Sequence, residues 1–437
     1  MLLLRRLRAT VLPLVILFVS GCAAVVESDV NEPVARKNQP QICAQNTVLE
    51  LPAGFCATVF ADGVGYARHL VVRDNGDVYV ALIGEEGGIV ALRDTNNDGK
   101  ADREARFGRR GGTGLGIRNG YLYFGMPTRI VRYRFAGDAL LPEKNAEVVV
   151  DGFNKQRAHA SKTIVFDDSN GLLVNVGAPS NACQKPQRSP GVAGQDPCPE
   201  LDENGGIWRY DADATDQQAF VDGRRYASGI RNALANDWHP RRGQLIAVQH
   251  GRDQLSELWP EHFSVAQRVE LPAEELLAIE QDDEFGWPYC FYDPFKQRAV
   301  LAPEYGGDGD KVGRCAGFKS PLLGFPAHWA PNDLLIYRGR QFPSRYRFGA
   351  FVAFHGSWNR SPEPQRGYKV AFVALDDPSE FEVFADGFTQ REEVRGPADA
   401  RYRPTGLAQG PDGALYISES RTGRIWRVTY NTPAVAD

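Results

Sequence analysis

The chain has 437 residues, with 50 Lys and Arg against 55 Asp and Glu and a formal net charge of -5. No basic run or stripe stands out from this slightly acidic balance, which argues against a nucleic-acid binder. Gly (45), Pro (28) and aromatic residues (11%) are abundant, and the length allows a large buried core.

At the N-terminus Arg5, Arg6 and Arg8 precede an apolar run from Val11 to Val19, the basic and hydrophobic regions of an export signal. The run is too short to span a bilayer. It ends in Val19-Ser20-Gly21-Cys22, which resembles a bacterial lipobox. Residues 1–21 are therefore expected to be a lipoprotein signal peptide, with Cys22 the acylated first residue of the mature chain. Ala23 next to it implies sorting to the outer membrane. Residues 22–42 are polar and lack an apolar period, as in a flexible tether. A periplasm-facing protein that meets the membrane through its lipid anchor only is expected.

Six further cysteines remain, Cys43, Cys56, Cys183, Cys198, Cys290 and Cys315, an even number in an exported chain. Six cysteines allow fifteen pairings, and the three that close short loops, 43–56, 183–198 and 290–315, are expected. There is no zinc-type Cys-x-x-Cys spacing and no Cys-x-x-Cys-His haem site. Electrons from any redox reaction must therefore pass to another molecule.

From residue 43 to 432, ahead of a short tail at 433–437, one pattern recurs: a turn glycine followed by an apolar or alternating strand. It begins at Gly76, Gly120, Gly171, Gly243, Gly349 and Gly413. Several copies are trailed by a second strand, as at Gly88-Ile89-Val90, Arg129-Ile130-Val131, Gly206-Ile207-Trp208 and Gly423-Arg424-Ile425. Paired strands bounded by Asp-Gly and Gly turns follow hairpin rules. Small repeated sheets that cannot bury both faces alone predict an all-β, six-bladed β-propeller. A sandwich pair and a parallel β-helix are the competing architectures. The Pro- and Gly-rich stretch from Asp282 to Phe325 reads as an insertion over one face, and Phe55–Phe60 as an N-terminal strand closing the last blade beside Arg424–Tyr430.

Chemistry in a propeller gathers where loops converge on the central channel, so His, Arg, Asn and Trp just before strands are the candidates. His159-Ala160-Ser161-Lys162 leads into such a strand pair. Tyr226-Ala227-Ser228-Gly229-Ile230-Arg231-Asn232 precedes another. Around the fifth copy lie His328-Trp329-Ala330-Pro331 and Phe354-His355-Gly356-Ser357-Trp358-Asn359-Arg360-Ser361. Taken together these segments resemble the soluble sugar dehydrogenases that use pyrroloquinoline quinone (PQQ), and the last of them the sorbosone-dehydrogenase branch. The resemblance implies oxidation of a sugar or sugar aldehyde, with electrons passed to an external quinone or cytochrome c.

By the same resemblance His159 is the general base, a role suited to neutral imidazole, and Arg231 stabilises negative charge on the quinone oxygens. Lys162, Arg231, Asn232, His328, His355, Arg360 and Arg403 are the implied cofactor contacts. In Gln249-His250-Gly251-Arg252-Asp253 the backbone carbonyls of Gly251 and Arg252 are the implied ligands of a cofactor calcium, a cation that favours oxygen. Four positions depart from the glucose enzymes: Ala158 replaces an acid, Lys162 an Arg, Arg252 a Pro and Thr405 a second Arg. They take the resemblance away from glucose itself.

Separately, Asp94, Asn96, Asp98 and Asp102, with Gly99, match a calcium-loop spacing, although position 12 is Ala105 instead of Glu. Structural calcium and a plain Asn-Asp-Gly turn are both compatible with this segment. A non-catalytic propeller that binds a carbohydrate or envelope protein is the alternative to the enzyme.

Overall fold

A computed structural model describes residues 48–84 and 86–431. The expected signal peptide, Cys22, the tether, Cys43 and the tail lie outside the described residues, so the 43–56 pairing does too.

The second strands of the blades follow directly from the recurring glycine pattern. They are Val78–Leu82, Tyr121–Met126, Gly171–Val176, Gln244–Gln249, Ala350–Phe354 and Leu415–Glu419, one in each of six antiparallel sheets. Each is covered by a neighbouring blade on both faces, so its residues are apolar in succession; Val78–Leu82, Ala350–Phe354 and Leu415–Glu419 are buried throughout. Third strands include Gly88–Arg93, Arg129–Arg134, Gly206–Asp211 and Ile425–Tyr430, the trailing strands of the sequence pattern.

The first strands are Ala67–Val72, Gly114–Arg118, Ile164–Phe166, Ala235–His239, Pro331–Ile336 and Pro404–Gln409. Each touches the first strand of the next blade, and the sixth touches the first, so they close a ring around a cavity of about 470 Å³. A closed ring of six sheets is a six-bladed propeller and excludes both the sandwich and the β-helix.

Closure of the ring depends on the N-terminal strand Phe55–Ala61. It pairs antiparallel with Ile425–Tyr430, from Phe55 opposite Tyr430 to Ala61 opposite Ile425, and supplies the outer strand of the sixth blade. The ring of Phe55 lies 4.7 Å from that of Phe342 and 5.0 Å from that of Phe384. This aromatic packing between the fifth and sixth blades adds to the ladder hydrogen bonds that hold the first and last segments together.

Two expected disulfides are present, Cys183–Cys198 and Cys290–Cys315. Glu200 lies beside the first, but both sulfurs are consumed by the bond and no thiolate remains for a metal. The insertion climbs along the third blade, with Asp283–Glu284 parallel to Arg224–Ser228, and then forms the hairpin of Cys290–Asp293 and Arg298–Leu301. Trp287 donates its indole N–H to the Asn181 carbonyl at 3.0 Å, and the Tyr289 hydroxyl accepts the Cys198 N–H at 3.0 Å. The insertion thus packs on the loop between the second and third strands of the third blade, over one face as expected.

Candidate functional site

In an up-and-down blade the loop entering the first strand and the loop leaving the second emerge at the same end. His159, Arg231, Asn232, His328 and Arg403 lie in entering loops, and Arg68 heads the first strand of the first blade. His250–Asp253 and His355–Asn359 leave second strands. Topology alone therefore collects these residues at one mouth of the channel.

His159 sits at a backbone φ of +51°, close against Gly177. A Cβ at Gly177 would stand 2.6 Å from His159 Cβ and 2.7 Å from Asn232 Oδ1, so glycine is required there. One side-chain amide clamps this loop: Gln156 Nε2 lies 2.9 Å from each of the Ala158, His159 and Gly177 carbonyls. His159 Nδ1 is 2.6 Å from the Ala178 carbonyl. A carbonyl only accepts, so Nδ1 carries the hydrogen and Nε2 keeps its lone pair. Burial and then the charge of Arg231 hold the imidazole at about 3, neutral throughout the physiological range.

Buried Arg231 is fixed on several sides. Its guanidinium donates to the Gly251 carbonyl at 2.9 Å, Asn181 Oδ1 at 3.1 Å and Asp253 Oδ2 at 3.2 Å, while its backbone N–H donates to Gln249 Oε1 at 2.9 Å. Asn232 Oδ1 accepts from Asn175 at 3.1 Å, and the Asn232 carbonyl accepts the His250 N–H. Burial alone would raise the Asp253 carboxyl, but Arg231, His328 and Arg188 bring it down to about 2. Asn359 bridges Asp253 Oδ1 at 2.9 Å and His328 Nδ1 at 3.3 Å, tying the fifth blade to the fourth.

On the other side of the mouth, Arg403 donates to the His355 and Gly356 carbonyls, both at 2.9 Å, and the His355 ring meets Ser420 Oγ at 2.8 Å. His250 Nε2 bonds the Pro331 carbonyl at 2.6 Å. Burial followed by Arg231 holds His250 at about 4, and burial followed by Arg403 and Arg68 depresses His355. His159 in turn feels His250, and His355 feels both His250 and Arg68. These mutual influences define one cluster of three imidazoles and three guanidiniums with Asp253 as its counter-charge.

Arg68 is the least compensated member. Its Nε is buried without a hydrogen-bond partner among the described residues. Burial and then Arg403 lower its pKa to about 10. Thr405, where a second basic residue was sought, donates to the Ala67 carbonyl at 3.2 Å, so the charge beside Arg403 comes from the neighbouring first strand instead. A buried, incompletely paired cation next to another cation is costly unless an anion occupies the mouth. The cluster is suited to a multiply charged acid.

Other expected site residues are engaged elsewhere. Arg360 is buried, with its guanidinium on Glu270 at 2.7 Å, the Pro364 carbonyl at 3.2 Å and the Val269 carbonyl; it ties its loop to the helix Val265–Glu270. It reaches the site only through the effect of its charge on His328. His328 Nε2 is itself bound to the Arg268 carbonyl at 2.8 Å, and its Nδ1 positions Asn359. The side chain of Arg252 forms a buried ion pair with Glu304, which also accepts the Trp259 indole N–H at 3.0 Å. As a calcium ligand Gly251 is compromised, because its carbonyl already accepts a guanidinium.

The Asp94–Asp102 loop lies on the outer hairpin of the first blade, between Gly88–Arg93 and Arg103–Phe107. Asp94 accepts the Asp98 and Gly99 N–H groups at 3.3 and 2.8 Å, Asn96 accepts Asp98 N–H at 3.0 Å, and Asp98 accepts Lys100 N–H at 2.9 Å. Asp102 accepts the Thr95 hydroxyl at 2.6 Å. These bonds fix the conformation of the turn.

Lys162 lies beneath the His159 loop, fully buried. Its amine donates to the Ala160 carbonyl at 2.9 Å and stands 5.5 Å above the Phe153 ring. Burial lowers its pKa from 10.5 to about 8. Below pH 8 the amine is charged in both the folded and unfolded chain, and only the folded one bears the desolvation penalty; above 10.5 it is neutral in both. Lys162→Met is therefore expected to stabilise the protein by roughly 3 kcal/mol at pH 7, at about 1.4 kcal/mol per unit. That gain should fade as pH rises from 8 to 10.5. Urea denaturation at both ends of this window checks it, and equal gains at both would rule it out.

Comparison with known proteins bears on the whole arrangement. Over 123 residues the chain is 32% identical to a pyrroloquinoline quinone-dependent pyranose dehydrogenase of Coprinopsis cinerea, an overlap of 24% of this chain and 16% of that protein. The holo PQQ domain of pyranose dehydrogenase from the same organism superposes with a TM-score of 0.69 at 18% identity, covering 87% of this chain and 97% of that one. A calcium structure of the Trichoderma reesei family AA12 carbohydrate-active enzyme gives a TM-score of 0.71 at 20% identity, covering 90% and 99%. At these identities the two structures speak for the fold. The chain spans 63% and 16% of the lengths of the first two curated relatives it matches. The TrAA12-like family model matches residues 49–431, nearly all of the propeller, and the chain belongs to that family.

Proposed function

We propose that this protein oxidises a sugar or sugar aldehyde with PQQ as its cofactor. The observation that carries the reading is the cation cluster at the channel mouth, above all Arg68, whose buried Nε has no hydrogen-bond partner among the described residues. PQQ is a planar tricarboxylate, and Arg68, Arg403 and Arg231 are the residues that would hold it. When bound, it supplies an ortho-quinone that accepts a hydride from the substrate carbon.

The protein's own residues do the rest. His159 Nε2, the ring nitrogen left with its lone pair, accepts the proton of the substrate hydroxyl as the hydride leaves the same carbon. The Ala178 carbonyl stabilises the imidazolium that results through its 2.6 Å bond to Nδ1. Asn181 and Asp253 hold Arg231 in place, so its charge is preorganised for the oxygens that become negative. The two electrons then leave to an external acceptor, a quinone or cytochrome c. The resemblance of the fifth-blade loop favours a sorbosone-like aldehyde among the substrates. The lipobox and the two disulfides support a site of action in the periplasm, anchored at the outer membrane through Cys22.

Titration of the purified apoprotein with PQQ, followed by dye reduction over a panel of aldoses and aldehydes, tests the reading. Stoichiometric binding with sugar-dependent reduction is expected. Absence of binding at micromolar cofactor would leave a non-catalytic propeller that binds a carbohydrate or envelope protein.

A further inference from the structure

The Gly251 carbonyl and the carboxylates of Glu274 and Asp253, oxygens that a divalent cation could use at this mouth, are already engaged. Calcium takes about six to eight oxygen ligands at roughly 2.3–2.6 Å. The Gly251 carbonyl accepts Arg231 Nη1 at 2.9 Å, which sets a permanent positive charge on the first expected ligand. Glu274, a buried carboxylate beside that turn, points both oxygens at backbone donors: the Gly251 N–H at 2.8 Å and the Ala330 N–H at 3.1 Å. Asp253 gives one oxygen to Arg231 and Arg188, at 3.2 and 3.1 Å, and the other to Asn359 at 2.9 Å. Its backbone carbonyl accepts Asn181 Nδ2 at 2.9 Å. A cation here would displace N–H donors and face Arg231 at contact range.

Resting on the reading of an anionic cofactor at this mouth, we infer that Arg231 takes the place of a metal ion: its guanidinium, fixed between Gly251, Asn181 and Asp253, supplies the charge, and the ligand binds without calcium. The calcium expected from the sequence at Gly251 and Arg252 is thereby replaced by a side chain of the protein. Its charge is always present and does not depend on free calcium outside the cell.

Two measurements decide this. PQQ is titrated into apoprotein treated with a chelator, with and without millimolar calcium, and binding is followed by tryptophan quenching. The dissociation constant is expected to agree within about twofold between the two conditions, and Arg231→Gln to weaken binding by about ten- to a hundredfold in both. Binding that requires calcium overturns the inference. The second measurement needs no cofactor: equilibrium dialysis of radioactive calcium against an Asp98→Ala protein, whose surface loop has lost one carboxylate, and against the same protein carrying Arg231→Gln. No uptake by the protein that keeps Arg231 is expected. One bound equivalent that persists with Arg231 in place overturns the inference. If PQQ fails to bind with or without calcium, the functional reading falls, and the dialysis still decides whether Arg231 excludes the metal.

Discussion

Substitution of His159 by Gln is expected to lower sugar-dependent dye reduction by about 10²- to 10⁴-fold, the range for loss of a positioned general base, while PQQ binding stays stoichiometric. The expectation follows from geometry. Nδ1 is committed to the Ala178 carbonyl, so only Nε2 can take a proton, and the Gln156 clamp and the tight contact with Gly177 hold the ring in one orientation. Burial and Arg231 keep the resting ring at about 3. The base is therefore already deprotonated in the free enzyme across the physiological range, and kcat/KM should show no inflection from His159 between pH 5 and 8. Pre-steady-state reduction of the bound cofactor, measured at subsaturating and saturating sugar across that range, checks both statements. A variant that keeps more than a tenth of the rate would move the base to His250 or His355, each of which also has one ring nitrogen committed to a partner.

Which parts of this molecule can be read from its sequence depends on where a strand lies in its blade. Second strands are covered by protein on both faces, so they appear as apolar runs after a turn glycine, and all six were legible. First strands line the channel. Arg68 and His69 head one of them, and Asn236 and Asp333 interrupt two others. Their polarity serves the channel and hides the strand. Arg68 escaped notice for that reason, although it precedes the apolar Leu70-Val71-Val72 just as His159 precedes its own strand. Looking for basic residues ahead of every blade would have found it.

His159, Arg231, Asn232 and Arg403 were legible because the loop that carries each is fixed by the strand that follows it. Where the side chains of Arg360 and Arg252 go was not legible, because sequence shows a charged loop but not the direction of its side chains. Both guanidiniums turn into the protein, to Glu270 and Glu304, acids distant in sequence whose pairing depends on the folded loops. Asp253 carried no mark in the sequence for the same reason: its importance comes from Arg231, Arg188 and Asn359 arriving from three other segments.

Arg68→Met is expected to separate binding from folding more cleanly than any other change at the mouth. Arg68 has a buried Nε with no hydrogen-bond partner among the described residues and stands beside Arg403, so its removal relieves a desolvated charge, and thermal stability should hold or rise. Binding moves in the opposite direction. Loss of one charge-assisted contact of about 1.5–3 kcal/mol lowers PQQ affinity by about ten- to a hundredfold. The thermal shift that saturating cofactor produces should shrink accordingly. Arg403→Met gives the contrast, because Arg403 also holds the His355 and Gly356 carbonyls in the apoprotein. Its loss should reduce both affinity and apoprotein stability. Differential scanning fluorimetry of the two variants with and without PQQ reads all four quantities in one experiment. If Arg68→Met unfolds early and still binds PQQ at full strength, Arg68 is a structural residue, and the anion site must be rebuilt around Arg231 and Arg403 alone.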